Sequence, residues 1–164
     1  MYAFNITQEI FNEVPLPEII QVAKSEIHVS LLEKCLCITM SCCYQTNKFD
    51  VWVMKEYGRR DSWCKLFTLW DWYFHSPLTY LKPLCYYSDR SKVLLEVECW
   101  NDFMSDSKKL FWYYLDSKNI TCVPGIPTFN DVMLYIGSLL PPSLPIDNSP
   151  PVEAREGICV SCRR

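Results

Sequence analysis

The chain has 164 residues, of which 49% are apolar and 15% aromatic, so it can bury a core, and a fibrous or largely disordered protein is excluded. Its net charge of −3 provides no excess of Lys and Arg for phosphate groups, so we expect neither a nucleic acid nor an anionic membrane as a partner. No basic leader is visible at the start, and no apolar run reaches the roughly 20 residues of a membrane-spanning helix.

The first part of the chain predicts strands. Residues 6–14 carry apolar residues on both sides of a polar tip, which is typical of a hairpin. Two further strands are expected at residues 26–32 and 34–44, where apolar and polar residues alternate. We therefore expect helix to be the minor component.

Residues 49–69 give the strongest strand signal, two strands joined by a polar turn. Gly58 can adopt the positive φ that such a turn needs. Strict alternation with period two assigns the side chains of both strands to faces. The predicted faces are Val51, Val53 and Lys55 opposite Trp52 and Met54, and then Trp63, Lys65 and Phe67 opposite Cys64 and Leu66.

The second half continues the pattern, with strands expected at residues 81–87, 92–100 and 132–140 and a hairpin at 115–123. Beyond these elements, prolines remove backbone donors and forbid a central strand. We therefore predict one domain over residues 1–140 and a Pro-rich, disordered tail over residues 141–164. The prolines of this tail are Pro141, Pro142, Pro145, Pro150 and Pro151.

The outer hairpins repeat along the chain. Residues 6–15 superpose without a gap on residues 115–124, and both segments end in Val-Pro. The segment that begins at Trp63 takes the same place, 52 residues after Phe11 and 57 residues before Ile120. These spacings are close to the period of about 50 residues of kelch-type propeller blades.

The number of repeats limits the architecture. At about 50 residues per blade the chain holds about three blades, whereas closed propellers typically have four to eight. The first hairpin begins at Met1, so the strands that would complete its blade are expected upstream. We predict an all-β fold, a partial kelch-like β-propeller of antiparallel strands that does not close into a ring.

Four segments resemble the plant F-box-associated domain, the β-propeller that follows an N-terminal F-box in F-box/kelch-repeat proteins. They are FNITQEIFNEVPLPE, FDVWVMKEYGRRDSWCKLFTL, KPLCYYSDRSKVLLEVE and KKLFWYYLDSKNITCVPGIP. The most specific pieces are WVMKEYG and SWCKLFT, and the resemblance extends over residues 4–140. No F-box precedes Met1, so we expect a fragment that lacks it.

The resemblance implies a function in ubiquitination. In that family the F-box binds the Skp1 adaptor of an SCF-type E3 ubiquitin ligase, and the propeller selects the protein to be ubiquitinated. We therefore expect a non-catalytic substrate-recognition part that contacts Skp1 only through an upstream F-box. The alternative is a free-standing interaction or decoy module that binds targets without recruiting the ligase.

An aromatic cluster is the candidate partner-binding site. Trp70, Trp72, Tyr73 and Phe74 follow the hairpin and precede His75. Exposed Trp and Tyr are frequent anchors of protein interfaces. The competing interpretation, which general residue usage favours, is that these rings pack between neighbouring blades.

A pair of glutamates and the two histidines are the candidates for catalytic or metal-binding groups. Glu96 and Glu98 fall on one strand face at a separation of roughly 7 Å, as in some glycosidases, but a solvated strand face shows the same pattern. His28 is expected to be structural, and two isolated His offer few ligands for a metal. We predict no catalytic residue and no cofactor.

The ten cysteines are interpreted as reduced thiols of a cytoplasmic or nuclear protein, because no secretory leader is visible. Cys159 and Cys162 have ligand-like spacing but lack a second pair, so no zinc site is predicted. The others include six in predicted strands, where free Cys behaves as a small apolar residue. These six are Cys35, Cys37, Cys64, Cys85, Cys99 and Cys122.

Overall fold

The protein is described by a computed structural model. It describes residues 1–21, 25–42, 48–74, 76–99, 107–126, 129, 131–137 and 155–161. Over these residues the secondary structure consists of antiparallel strands and three short 3-10 turns, so the predicted all-β class is confirmed. Among the same residues, none forms a helix with the length and apolar character needed to cross a membrane.

Most strands lie close to predicted positions, but those at residues 107–114 and 155–161 were not predicted. The strands are β1 Tyr2–Asn5, β2 Ile10–Glu13, β3 Ser25–Leu32, β4 Cys35–Cys42, β5 Lys48–Met54, β6 Trp63–Trp70, β7 Leu78–Tyr86, β8 Lys92–Cys99, β9 Ser107–Tyr114, β10 Ile120–Cys122, β11 Asp131–Gly137 and β12 Arg155–Ser161. The 3-10 turns are Glu18–Gln21, Arg60–Ser62 and Asp71–Phe74.

In the part of the chain that the structure describes, the strands form four separate sheets. Two are four-stranded meanders in the orders β3-β4-β5-β6 and β7-β8-β9-β10, here called the first blade and the second blade. Two are pairs, the leading hairpin β1-β2 and the trailing hairpin β11-β12. Four-stranded antiparallel meanders are the units of a β-propeller. Within the described residues, two four-stranded meanders and two strand pairs hold twelve strands, the number in three four-stranded blades.

The two blades pack face to face through an apolar layer, here called the central layer. Phe67 of β6 and Tyr113 of β9 meet there with ring centroids 4.4 Å apart. The first strands of the two blades, β3 and β7, also lie against each other. The buried members of the central layer are Leu32, Cys37, Phe49, Val51, Val53, Phe67, Leu69, Leu81, Val93, Leu95, Val97 and Tyr113.

Two further apolar layers lie outside the blades. The leading layer joins the leading hairpin to the first blade, and the trailing layer joins the second blade to the trailing hairpin. The sheets therefore stack as neighbouring blades do in a propeller. The buried members are Val14, Ile20, Ile38, Met40, Met54 and Trp63 in the leading layer, and Leu84, Leu94, Leu110, Phe129 and Val132 in the trailing layer.

The repeat found in the sequence is also a structural repeat. The N–H of Val14 donates to the carbonyl of Met1 at 2.8 Å, and 109 residues later the N–H of Val123 donates to the carbonyl of Leu110 at 2.9 Å. Each hairpin tip also has one non-glycine residue at positive φ, 55° in the first and 57° in the second. The leading hairpin is thus the counterpart of β9–β10 in the second blade.

The predicted faces of the second strand of the 49–69 hairpin need correction. Val51 pairs with Phe67 but Trp52 pairs with Lys65, so Leu66 is an extra residue that forms a β-bulge. The bulge reverses the alternation. Trp63 consequently lies in the leading layer, while Phe67 lies in the central layer. The turn matches the prediction, with Gly58 at φ 83°.

The C-terminal tail differs in part from the prediction of disorder. Residues 155–161 form β12, which pairs antiparallel with β11 over seven residues from Asp131↔Ser161 to Gly137↔Arg155. Backbone hydrogen bonds with β11 therefore order this piece. Residues 141–154, which contain the five prolines, and residues 162–164 lie outside the described residues.

Candidate functional site

The aromatic cluster of residues 70–74 is divided by the structure. Trp70 ends β6 and is 40% exposed, and Trp72 in the following 3-10 turn is 61% exposed. The indole of Trp72 stacks on the ring of Tyr73 with centroids 4.1 Å apart and planes at 18°. Both tryptophans therefore present aromatic surface to solvent.

Tyr73 and Phe74 instead pack against the central layer. The ring of Phe74 meets Phe111 of β9 edge-on at 5.0 Å. Burial raises the pKa of the Tyr113 phenol, and the neighbouring Tyr73 adds to the increase. The packing interpretation therefore holds for these two rings. The position of His75 lies outside the described residues.

A groove that sequence reasoning missed lies between the leading hairpin's exit and the β5–β6 turn. It has a volume of about 490 Å³. Its walls come from three separate stretches of the chain, so no local pattern could have revealed it. The lining residues are Pro17, Glu18, Ile19, Trp52, Arg60, Asp61 and Trp63.

The groove has an apolar wall and a charged rim. Ile19 is half exposed, and the ring of Trp52 has the Lys65 ammonium 5.4 Å from its centroid. At the rim, Arg59 contacts Glu56 at 2.6 Å and Asp61 at 2.8 Å. These hydrogen bonds raise the pKa of Arg59 and lower that of Asp61. Such a surface suits an apolar side chain flanked by polar groups.

A second unpredicted feature is an aromatic cage in the second blade. The ammonium of Lys92 lies 4.2 Å from the ring centroid of Tyr87, 4.7 Å from Trp112 and 5.3 Å from Tyr114. Aromatic cages of this kind bind cations through the ring quadrupole. Here the protein's own lysine occupies the cage, so we assign it a structural role.

Glu96, which forms a pair with Glu98 in the sequence, does not lie on a solvated strand face. Its side chain is buried, because β8 is an internal strand covered by apolar layers on both faces. The ammonium of Lys108 lies 2.8 Å from Glu96 Oε1, and that of Lys82 lies 4.0 Å from Oε2. The carboxylate therefore balances lysine charge inside the sheet.

Asp50 forms a similar buried site in the first blade. Its carboxylate accepts a hydrogen bond from Thr68 Oγ1 and lies 3.0 Å from the Lys65 ammonium. Both acids occupy strand centres, and each has a lysine on an adjacent strand. These ion pairs are structural elements of the blades, and each of the two carboxylates already has a lysine partner.

His28 packs between two strands and Cys37 is buried, whereas the exposure of the other strand cysteines varies: Cys35, Cys64, Cys85 and Cys99 are partly buried and Cys122 is exposed. The His28 ring meets Tyr80 edge-on at 5.1 Å, between β3 and β7. Burial raises the pKa of the Cys37 thiol to about 11, partly offset by a hydrogen bond to Ser30. Within the described ranges no group of three or more His, Cys, Asp or Glu could hold a metal ion. Cys162 lies outside those ranges.

Comparison with known proteins identifies relatives in Arabidopsis thaliana. The chain is 33% identical over 141 residues to "F-box protein CPR1", a match that covers 84% of this chain and 32% of that protein. It is 30% identical over 99 residues to "F-box protein At4g22390", covering 60% of this chain and 22% of that protein. A third match, to "F-box protein At3g07870", is 33% identical over 67 residues.

The chain spans about a third of the length of the first of these relatives and less of the others. No family model matches it, and no solved structure matches it. The longest match nevertheless covers most of the chain and agrees with the resemblance seen in the individual segments. The chain is therefore related to the F-box proteins of plants.

Proposed function

We propose that the chain is the substrate-recognition part of an F-box protein of an SCF-type E3 ubiquitin ligase, which promotes ubiquitination and degradation of a target protein. The observation that carries this proposal is the 141-residue match to an F-box protein. The stacked blades suit the role, because a rigid scaffold can present loops and turns for recognition. Its reduced thiols fit the cytoplasm or nucleus.

The mechanism we propose is surface complementarity without bond chemistry. Skp1 is contacted through an F-box, and the blades bind the target. The buried acids Asp50 and Glu96 are paired with lysines, so neither is offered as a general acid or base. Recognition then depends on the aromatic surface that Trp70 and Trp72 expose.

Fusing the F-box of an Arabidopsis relative to the chain's N-terminus tests this division of labour. The fusion is expected to capture Skp1 and to increase ubiquitination of its target, whereas the 164-residue chain alone is expected to capture the target without Skp1. Affinity purification from plant cells with a proteasome inhibitor measures both. Failure of the fusion to bind Skp1, or an unchanged ubiquitination pattern, would refute the proposal. A rise in target abundance on expression of the chain alone would favour the alternative, a decoy module that binds targets without recruiting the ligase.

We further propose that Trp70 and Trp72 anchor the target, while Tyr73 and Phe74 hold the turn. Truncation of buried aromatic anchors typically costs 2 kcal/mol or more, so W70A/W72A should bind the target at least about tenfold more weakly. The target is defined as the protein whose ubiquitination depends on the fusion, and its capture is measured by quantitative mass spectrometry.

A matched control is Tyr57→Ala, because Tyr57 is 68% exposed on a different turn. It should leave capture unchanged. The melting temperature of W70A/W72A should stay near that of the wild type, since both side chains are exposed. Phe74→Ala, by contrast, should lower the melting temperature through its lost contact with Phe111. Full capture by W70A/W72A would reject these anchors.

A further inference from the structure

The leading hairpin carries four large apolar side chains on the side away from the first blade. Between 51% and 84% of each is exposed. Phe4 and Phe11 stand opposite each other in the pairing of β1 with β2, with ring centroids 5.0 Å apart. This group, here called the back face, consists of Tyr2, Phe4, Ile6 and Phe11.

The structural repeat shows what the residues equivalent to the back face contact. The 109-residue offset places Tyr2, Phe4, Ile6 and Phe11 at the positions of Phe111, Tyr113, Leu115 and Ile120. All four counterparts lie in or against the central layer, where the second blade meets the first. The back face is thus one side of a blade-to-blade interface, and it faces away from every sheet described here.

A second uncovered strip lies on β3. Ile27, Val29 and Leu31 alternate along it and are 37% to 64% exposed. They pair across to Met40, Ile38 and Leu36 of β4, which lie in or against the leading layer. The leading hairpin therefore covers the outer part of this side of the first blade and leaves β3 bare.

The second blade has the cover that the strip on β3 of the first blade lacks. The trailing hairpin β11-β12 packs over the second blade, with Val132 in the same layer as Leu84 of β7 and Leu94 of β8. It supplies the first two strands of a blade, whereas the leading hairpin, as the counterpart of β9–β10, supplies the last two. The two ends are complementary halves of one blade.

We propose that two copies of this chain assemble head to tail into a closed ring of six blades. In each junction, β12 of one copy pairs with β1 of the other, in the way that β8 pairs with β9. The second blade of one copy then covers the back face of the other, and its trailing hairpin covers the strip on β3. Three blades per chain give six in the dimer, within the usual range of four to eight.

A second copy of the chain covers the back face and the strip on β3, and it also pairs with the two open strand edges. Seven large apolar side chains become buried, and contiguous apolar surface of this kind is typical of an interface. The unpaired N–H and C=O groups of β1 and β12 gain partners, which removes edges that otherwise promote aggregation. Because the ring closes, assembly stops at two copies.

The molar mass of the purified 164-residue chain, measured by light scattering after gel filtration, tests the proposal. We expect twice the chain mass of 19.3 kDa, with no series of larger species. The variants F4E/F11E and Val29→Glu should each give the monomer mass. Their side chains are exposed in the single chain, so circular dichroism should show the wild-type strand content.

Tyr57→Glu is the control, because Tyr57 is equally exposed but lies on the β5–β6 turn, outside both strips. It should remain a dimer. Hydrogen exchange adds a local readout: amides of β1 should exchange slowly in the wild type and at least about tenfold faster in F4E/F11E. A monomeric wild type, a dimer that survives both interface variants, or fast exchange of β1 within the dimer would each overturn the proposal.

Discussion

Trp63→Ala is expected to destabilise the protein by about 3–5 kcal/mol, the range for removing a large aromatic side chain from a packed core. Trp63 is buried in the leading layer, where the leading hairpin meets the first blade. Its Nε1 also donates to the carbonyl of Pro15 at 2.9 Å. The substitution therefore opens a cavity and removes a hydrogen bond between segments 48 residues apart.

Urea unfolding followed by circular dichroism, at one fixed protein concentration, measures this loss. Trp63→Phe separates the two contributions, because it keeps most of the ring and removes the donor, and it should cost about 1 kcal/mol for the hydrogen bond plus a smaller packing loss. Trp72→Ala is the control on an exposed indole and should change stability by less than about 0.5 kcal/mol. Equal stability of Trp63→Ala and Trp72→Ala would contradict the proposed role of Trp63.

The position of Trp63 in the core shows which features of the fold can be predicted from the sequence and which cannot. Period-two alternation predicts strands β3 to β8 to within a few residues, but it does not predict β9, because the expected hairpin at residues 115–123 begins after β9 ends at Tyr114. The Val-Pro steps at Val14 and Val123 indicate the repeat, and the backbone hydrogen bonds of these two residues share it. The face of Phe67 was assigned wrongly relative to Trp63 because the bulge at Leu66 leaves no local signature. Register errors of this kind move a side chain from one apolar layer to another.

The candidate site was predictable only in part, since exposure depends on tertiary packing. The pattern at residues 70–74 identified an aromatic turn but could not separate Trp72, which is exposed, from Phe74, which meets Phe111 across the central layer. Likewise, Lys92 and Trp112 are 20 residues apart, and only the pairing of β8 with β9 brings them together. A local sequence pattern therefore cannot predict which side chains meet across the strands of a blade.

Glu96→Ala should be as damaging as Trp63→Ala, for an electrostatic reason. Removing one partner of a buried ion pair typically costs 3–5 kcal/mol, because the remaining charge loses its compensation. Lys108 would then keep its ammonium in a site where Glu96 Oε1 had been 2.8 Å away. Urea unfolding should show this loss, and Lys109→Ala, on the exposed side of β9, is the control and should cost less than about 0.5 kcal/mol.

A double replacement separates charge compensation from packing. In Glu96→Leu/Lys108→Met both charges are removed, so much of the stability lost in Glu96→Ala should return, as apolar substitution of buried pairs often allows. If the double variant is as unstable as Glu96→Ala, the ion pair is not the cause. Retention of wild-type stability by Glu96→Ala would also show that the carboxylate does not compensate Lys108.

The pH dependence of stability follows from the same pair. Burial opposes the charge on Lys108, but the hydrogen bond and attraction to Glu96 outweigh it, so the pKa of Lys108 is raised. A raised pKa in the folded state stabilises the fold fully below the unfolded lysine value of about 10.4, and this contribution is lost as the pH rises through the folded pKa. The wild type should therefore lose stability above about pH 10.

Other groups titrate in the same range, so the comparison must be made between proteins that share them. Burial raises the pKa of Tyr86 to about 12 and that of Cys37 to about 11, and both also favour the fold at lower pH. Glu96→Leu/Lys108→Met keeps these two groups and lacks the Lys108–Glu96 ion pair. The difference in unfolding free energy between the wild type and the double variant should therefore be smaller at pH 11 than at pH 8. Parallel curves would mean that Lys108 carries no stabilising charge.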